Sequence, residues 1–126
     1  MFFITNSSVS TRSQHAEKIV SRLGLDFEIS PNCVLTAAAV TADYLAERLP
    51  AQSRIYIMGL EGLELELRAV GFETFKTGDE IGSGVAAVVV GFDPTFSYAH
   101  MATAMRIFAL HPECLFIGCN LDSSYV

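Results

Sequence analysis

Two hydrophobic periodicities take turns along this chain. Phe2–Thr5 is a short apolar run and predicts a strand. After Ser10, a residue suited to capping, Ala16, Ile19, Val20 and Leu23 recur at helical spacing, and Gly24 supplies a stop. A second helix is expected from Thr36 to Leu49, with Ala38, Ala39, Ala42, Leu45 and Leu49 as its stripe and Pro50 beyond its end. Arg54–Met58 has the composition of a strand. Leu60, Leu63, Leu67 and Val70 then mark a helix whose Glu61, Glu64 and Glu66 are expected on its other faces, with Gly71 at its end. Val85–Val90 is apolar on both faces, as a central parallel strand must be. Ser97 is expected to cap a helix bearing Met101, Ala104, Met105 and Phe108, and Cys114–Gly118 closes the series as a strand.

Successive strand–helix units predict an α/β fold, a parallel sheet with helices packed on it and right-handed crossovers. The stretch from Thr74 to Gly84, with three glycines, is expected to be a loop. No repeat or long linker interrupts the pattern.

Composition narrows the function classes. The chain has 126 residues, 51% of them hydrophobic, which fits one domain with a sizeable core. The net charge is −6 and the eight Lys and Arg residues are scattered, so no basic face for nucleic acid or a membrane surface is expected. No apolar run reaches the roughly 18 residues of a membrane span. Met1–Thr5 lacks a basic n-region and does not read as a secretory signal. Cys33, Cys114 and Cys119 are odd in number and lack C-x-x-C spacing, which points to reduced, buried thiols in a cytoplasmic setting. Cys114 and Cys119 bracket a strand and are expected on opposite faces, which argues against a shared metal. His15 is expected on an exposed helix side, His100 without a partner and His111 at a helix end; their spacing builds no Ser–His–Asp set.

The strongest local chemistry is Phe3-Ile4-Thr5-Asn6-Ser7-Ser8, a strand that ends in small hydroxyl and amide residues before a helix. Ligands of open parallel sheets sit at the carboxyl ends of strands. Thr5, Asn6 and Ser7 offer neutral donors there, and the following helix offers its positive end. Read from the pattern alone, the same residues also serve an ordinary strand-to-helix turn.

With Ser10-Thr11-Arg12 after it, this segment resembles the second motif of haloacid dehalogenase superfamily phosphatases. More narrowly it is similar to their 4-nitrophenylphosphatase, phosphoglycolate phosphatase and pyridoxal phosphatase branch. Leu35-Thr36-Ala37-Ala38-Ala39 resembles the start of the first cap helix, and Ile55-Tyr56-Ile57-Met58-Gly59-Leu60-Glu61-Gly62-Leu63 the branch's strand and Gly–Glu–Gly–Leu turn. Val88–Asp93 with Phe96-Ser97-Tyr98 resembles its next strand and helix start, and Phe116–Asp122 its Asn-x-Asp strand end. The likeness spans essentially the whole chain, with five pieces in order.

The resemblance implies a phosphomonoester hydrolase in which an Asp-x-Asp motif supplies nucleophile and general acid/base. A Thr or Ser of the second motif binds phosphate, a Lys neutralises charge and an acidic pair helps hold Mg²⁺. Thr5, Asn6 and Ser7 match the phosphate contacts. Asp26, Asp43, Asp79, Asp93 and Asp122 form no Asp-x-Asp. The expectation is therefore a fragment: residues 1–27 a remnant of the core with the second-motif strand and helix, 28–122 the substrate-specificity cap, and 123–126 a tail. It is incomplete for catalysis and has no metal ligand to carry over. Mg²⁺ belongs to the intact family enzyme and is not expected to bind here.

Asp93, Thr95, Asn120 and Asp122 are the cap positions expected to set specificity. Thr95 stands where relatives often carry a basic residue, so a phosphate-side cation is missing. Turn-making is the competing role for Asp93, Asn120 and Asp122. The implied partner is a small phosphorylated metabolite, with a homo-oligomer formed through caps. The alternative is a non-catalytic α/β interaction or dimerisation module. A nucleotide-binding Rossmann module is weaker, because Gly78, Gly82 and Gly84 do not fit G-x-G-x-x-G.

Overall fold

A computed structural model of the chain describes residues 1–120 and 122. The expected tail at 123–126 lies outside them. The elements run β1 (Phe3–Thr5), α1 (Arg12–Leu23), a 3-10 turn (Pro31–Cys33), β2 (Val34–Thr36), α2 (Ala37–Ala46), β3 (Arg54–Met58), α3 (Glu61–Ala69), β4 (Glu73–Phe75), β5 (Val85–Val90), α4 (Tyr98–Leu110) and β6 (Leu115–Gly118). The strands form two parallel sheets, β1–β2 and β4–β3–β5–β6. The α/β class expected from the alternating pattern holds.

The larger sheet is the core. Ile55, Ile57, Ala87 and Val89 face α2 and α3, packing on Ala38, Ala42, Leu45, Leu63 and Leu67. Tyr56, Met58, Val85 and Val88 face α4, against Ala104 and Ile107. Strict alternation would put Val85 with Ala87. The register slips between Arg54 and Ile55, which pair with Val85 and Ala87 respectively, and that irregularity turns Val85 to the α4 side. From β3 the chain steps outward to β4, and from β5 outward the other way to β6. Right-handed crossovers then place α3 and α4 on opposite faces. Cys119 packs with the α2–α3 cluster and Cys114 with the α4 cluster, on opposite faces as expected. All three thiols are free but only partly buried; burial still pushes Cys114 up to about 11.

Helix ends follow the sequence with small corrections. Thr11, not Ser10, caps α1: its hydroxyl accepts from Gln14 N–H, and Gln14 accepts from Thr11 N–H. Gly24 ends α1 at φ +61°. Thr36 caps α2 through Ala39 N–H at 3.0 Å, and α2 ends at Ala46, short of Leu49. In α4 the inner stripe is Ala104 and Ile107, while Met101 and Met105 are exposed. Glu66, expected on an outer face, is buried. Two strands escaped the pattern. Val34–Thr36 pairs with β1, and Glu73–Phe75 pairs with β3 where a loop was expected. The rest of that loop is tied down by Arg54, whose guanidinium donates to the Ile81 and Glu80 carbonyls at 2.5 and 3.1 Å. Among the described residues no helix is long and apolar enough to cross a membrane.

Candidate functional site

The segment after β1 does not hang free. It lies on the carboxyl edge of the larger sheet, at the crevice where β3 and β5 diverge toward β4 and β6. That switch point is the usual ligand crevice of an open parallel sheet. Here Ser8, Val9 and Ser10 fill it. Ser8 is buried, and its Oγ accepts the Phe92 N–H at 3.0 Å. Val9 O accepts the Gly62 N–H at 3.2 Å at the start of α3. Two glycines permit this approach. A Cβ on Gly62 would meet Val9 O and lie 2.5 Å from Ser10 N, and one on Gly91 would lie 2.8 Å from Ser8 Oγ.

The seating of Ser8–Ser10 presents Thr5, Asn6 and Ser7. Thr5 Oγ1 accepts Ser7 N–H at 3.2 Å, and Ser7 Oγ accepts Val9 N–H at 3.3 Å. Each hydroxyl thus serves its own turn as acceptor and keeps its O–H to donate outward. Asn6 Nδ2 donates to Asp122 Oδ2 at 2.5 Å, while Asp122 N–H bonds Asn120 Oδ1 at 2.6 Å. Asn120 makes the turn that aims Asp122 at the loop. Of the seven candidate residues, Thr5, Asn6, Ser7, Asn120 and Asp122 therefore come together.

Asp93 and Thr95 stand apart from them, at the start of α4. Asp93 Oδ1 accepts both the N–H and the hydroxyl of Thr95, at 2.8 and 2.6 Å. Asp93 Oδ2 faces His100 Nε2 at 3.6 Å. Burial pushes the Asp93 carboxyl up, but the Thr95 bonds and the nearby His100 and Lys76 outweigh it and hold it below its usual value. His100, expected without a partner, accepts Ser97 N–H on Nδ1 at 3.2 Å and stacks on Phe96. Ser97, His100 and Asp93 thus adjoin as a helix cap. His15 is half-buried rather than exposed, and desolvation with Lys18 nearby lowers its pKa.

The pairing of Glu66 with Arg12 was not expected from the sequence. Glu66 Oε1 accepts the Arg12 N–H at 2.6 Å, and Oε2 accepts from Arg12 Nε at 3.2 Å. Arg12 Nη1 also lies 3.5 Å from Asp43 of α2. The positive end of α1, expected to favour a bound phosphate, therefore faces the Glu66 carboxylate. A signal existed: residues 63, 66, 67 and 70 share one helical face, so Glu66 interrupts the apolar stripe.

A family model described as haloacid dehalogenase-like hydrolase matches residues 1–73. The chain belongs to the haloacid dehalogenase-like hydrolases. Among similar hydrolases, it is 39% identical to human glycerol-3-phosphate phosphatase, covering 96% of this chain and 43% of the relative. It is 34% identical to phosphoglycolate phosphatase 2 of Arabidopsis thaliana, over 96% of this chain and 44% of that protein. Among solved structures, a putative p-nitrophenyl phosphatase from Bacillus subtilis superposes with a TM-score of 0.80 at 27% identity, over 98% of this chain and 44% of that one. The glycerol phosphate phosphatase Rv1692 of Mycobacterium tuberculosis, in complex with magnesium, gives 0.77 at 27% identity, over 98% and 35%. This chain thus spans less than half the length of these hydrolases.

Magnesium takes about six oxygen ligands and favours carboxylates. Among the described residues no three His, Cys, Asp or Glu side chains gather to hold a metal, and Asp122 is the one carboxylate bonded to the loop. The donor set present does not fit that ion, and no chemical step is derived through it.

Proposed function

We propose that this chain carries the phosphate-binding loop and the substrate-specificity cap of a phosphomonoester hydrolase acting on a small phosphorylated metabolite. The observation that carries the reading is the meeting of Thr5, Asn6 and Ser7 with Asn120 and Asp122 at the carboxyl ends of β1 and β6. Two outward hydroxyls and an amide suit phosphate oxygens. They supply no positive charge, since Arg12 is engaged by Glu66 and Asp43. The charge neutralisation that phosphoryl transfer requires must come from elsewhere in an intact enzyme, and Mg²⁺ is the ion proposed for it. The core remnant at 1–27 and the cap at 28–122 remain the proposed division. β2 is hydrogen-bonded to β1 across it, so the strand pairing of the first unit reaches Thr36.

Asp93 and Thr95 are proposed to act from the rim of the cap. The cytoplasm is the proposed setting and a homo-oligomer the proposed assembly; apolar surface is exposed at Ile4 and Leu35 on the β1–β2 sheet and at Met105 and Phe116 along α4 and β6.

A ¹⁵N-labelled sample titrated with inorganic phosphate tests the reading. The amides of Thr5, Asn6, Ser7 and Ser8 are expected to shift together in wild type and not in Thr5→Ala. Shifts confined to other residues, or none at millimolar phosphate, would count against it.

A further inference from the structure

We infer that Glu66 is a positioning residue for the phosphate loop, holding the start of α1, and through it Thr5, Asn6 and Ser7, in one place relative to the cap. The functional consequence rests on the phosphate reading above; the structural coupling does not.

Glu66 is the one carboxylate buried among the described residues, with its side chain only 6% exposed. Burying a carboxylate is costly unless it is paired and hydrogen-bonded. No partner of Glu66 lies on its own helix. It takes the N–H of Arg12, the first residue of α1, and grips the same residue's guanidinium through Nε and Nη2, each 3.2 Å from Oε2. Backbone and side chain of one residue are thus fixed by one carboxylate, which a surface ion pair does not achieve. The contact is placed where a negative charge gains from the helix end. Asp43 reaches the same guanidinium from α2, so three helices converge on Arg12.

Six residues separate Arg12 from Thr5, and the seated Ser8–Ser10 lie between them. One end of that seat is held by the Phe92 and Gly62 N–H groups. Glu66 holds the other. With one end fixed to α3 and to the residue that follows Gly91 beyond β5, and the other to α3 again, the loop is tied to the cap at both ends, so a change in α3 should be felt at Thr5–Ser7. Glu66 touches no candidate phosphate contact, so its role is to position.

Amide hydrogen exchange on the 126-residue chain, read by NMR alongside urea unfolding, tests this. Glu66→Gln keeps the size and loses the charge. It is expected to speed exchange of the Asn6–Gln14 amides about tenfold, the loss of one charge-assisted contact, while β3 and β5 amides change less than about twofold. Arg12→Met keeps the backbone N–H to Glu66 but removes the guanidinium, leaving the buried charge without a counter-ion, so global stability should fall as well. The double variant Arg12→Met with Glu66→Leu removes that burden. It should recover global stability and keep the fast loop exchange, an outcome that a purely stabilising ion pair does not produce. Loop exchange at the wild-type rate in both Glu66→Gln and the double variant would overturn the inference, as would a uniform rise across the sheet. Because no phosphate is present, neither result depends on what the loop binds.

Discussion

Asn6 and Asp122, 116 positions apart in sequence, are joined by a 2.5 Å hydrogen bond from the amide of one to the carboxylate of the other. The bond orients Asn6, yet it also brings a negative charge to a loop proposed to receive phosphate. The two effects oppose. An exposed bond of this kind is worth at most about 1 kcal/mol. Repulsion between the carboxylate and a phosphate about 6 Å away in water is about 0.7 kcal/mol per charge pair, doubled for a dianion. For a dianion, repulsion therefore outweighs orientation. Asp122→Asn, which keeps the bonding shape, is expected to tighten phosphate binding by roughly threefold to tenfold. Loop chemical shifts in a phosphate titration give the ratio; weaker binding in the variant would show that the charge orients more than it repels.

Gly62 offers a test of the seat itself. It lies inside α3, where alanine is worth about 1 kcal/mol over glycine. Its Cβ, however, would meet the backbone of Val9 and Ser10. Backbone cannot swing aside as a side-chain tip can, so the clash should win, for a net loss of about 1–3 kcal/mol. Urea unfolding of Gly62→Ala reads the sign. A stabilised variant would mean that the Ser8–Ser10 segment lifts freely from the sheet.

The sheet was legible where apolar runs were long. Ile55–Met58 and Val85–Val90 bury both faces, and no other element accommodates that pattern. β2 and β4 were not legible, because each is three residues whose extended form comes from pairing with β1 or β3 rather than from its own composition. The loop residues Thr5, Asn6 and Ser7 stand out by residue type. Their seating does not, since it depends on contacts of Ser8, Val9 and Arg12 with residues more than fifty positions away. Glu66 was read as an outer-face charge because its partner lies on another helix.

Acid should expose the Asp93 cluster. Its folded carboxyl lies below the usual value, held there by Thr95, His100 and Lys76 against burial. The unfolded state then binds the proton more tightly, so the stabilisation is present above about pH 4 and is lost as pH falls through the folded value. Asp93→Asn should flatten that part of the acid limb in pH-dependent urea midpoints. His15 acts over a different range. Its folded pKa lies below the usual 6.5, so stability falls as pH drops from that value toward the folded one, and His15→Gln should remove that slope. An unchanged limb below pH 4 in Asp93→Asn would place the cluster's charge balance elsewhere.

Turnover should be absent from the 126 residues alone. They contain no Asp-x-Asp, and the donors at the loop are neutral. Enzymatic accelerations of about 10⁶-fold or more rest on groups that attack and neutralise; Asp122, the carboxylate at this loop, belongs to no Asp-x-Asp, and Arg12 is held by Glu66 and Asp43. Hydrolysis of 4-nitrophenyl phosphate with Mg²⁺ is expected at background. Turnover that Thr5→Ala abolishes would require a nucleophile among residues so far assigned other roles.

The chain should also associate with itself, and two surfaces compete for the contact. The β1–β2 sheet has one face against α1, while Ile4 and its register partner Leu35 are exposed on the other, Ile4 at 80%. Parallel sheets are stable when both faces are covered, and β1 keeps an open edge. Along α4 and β6, Met105 and Phe116 are each more than 60% exposed and β6 is also an edge strand, but there Phe116 already packs edge-on against Phe108 of α4. The β1–β2 face thus has more to gain from a second copy. Light scattering at micromolar concentration should report a species above 13.7 kDa. Ile4→Lys should shift it toward monomer, because a charge on a face that must dry is costly. Met105→Glu should leave it largely unchanged. The reverse ranking would assign the contact to the cap, and a monomer in wild type would show that neither surface suffices at this net charge.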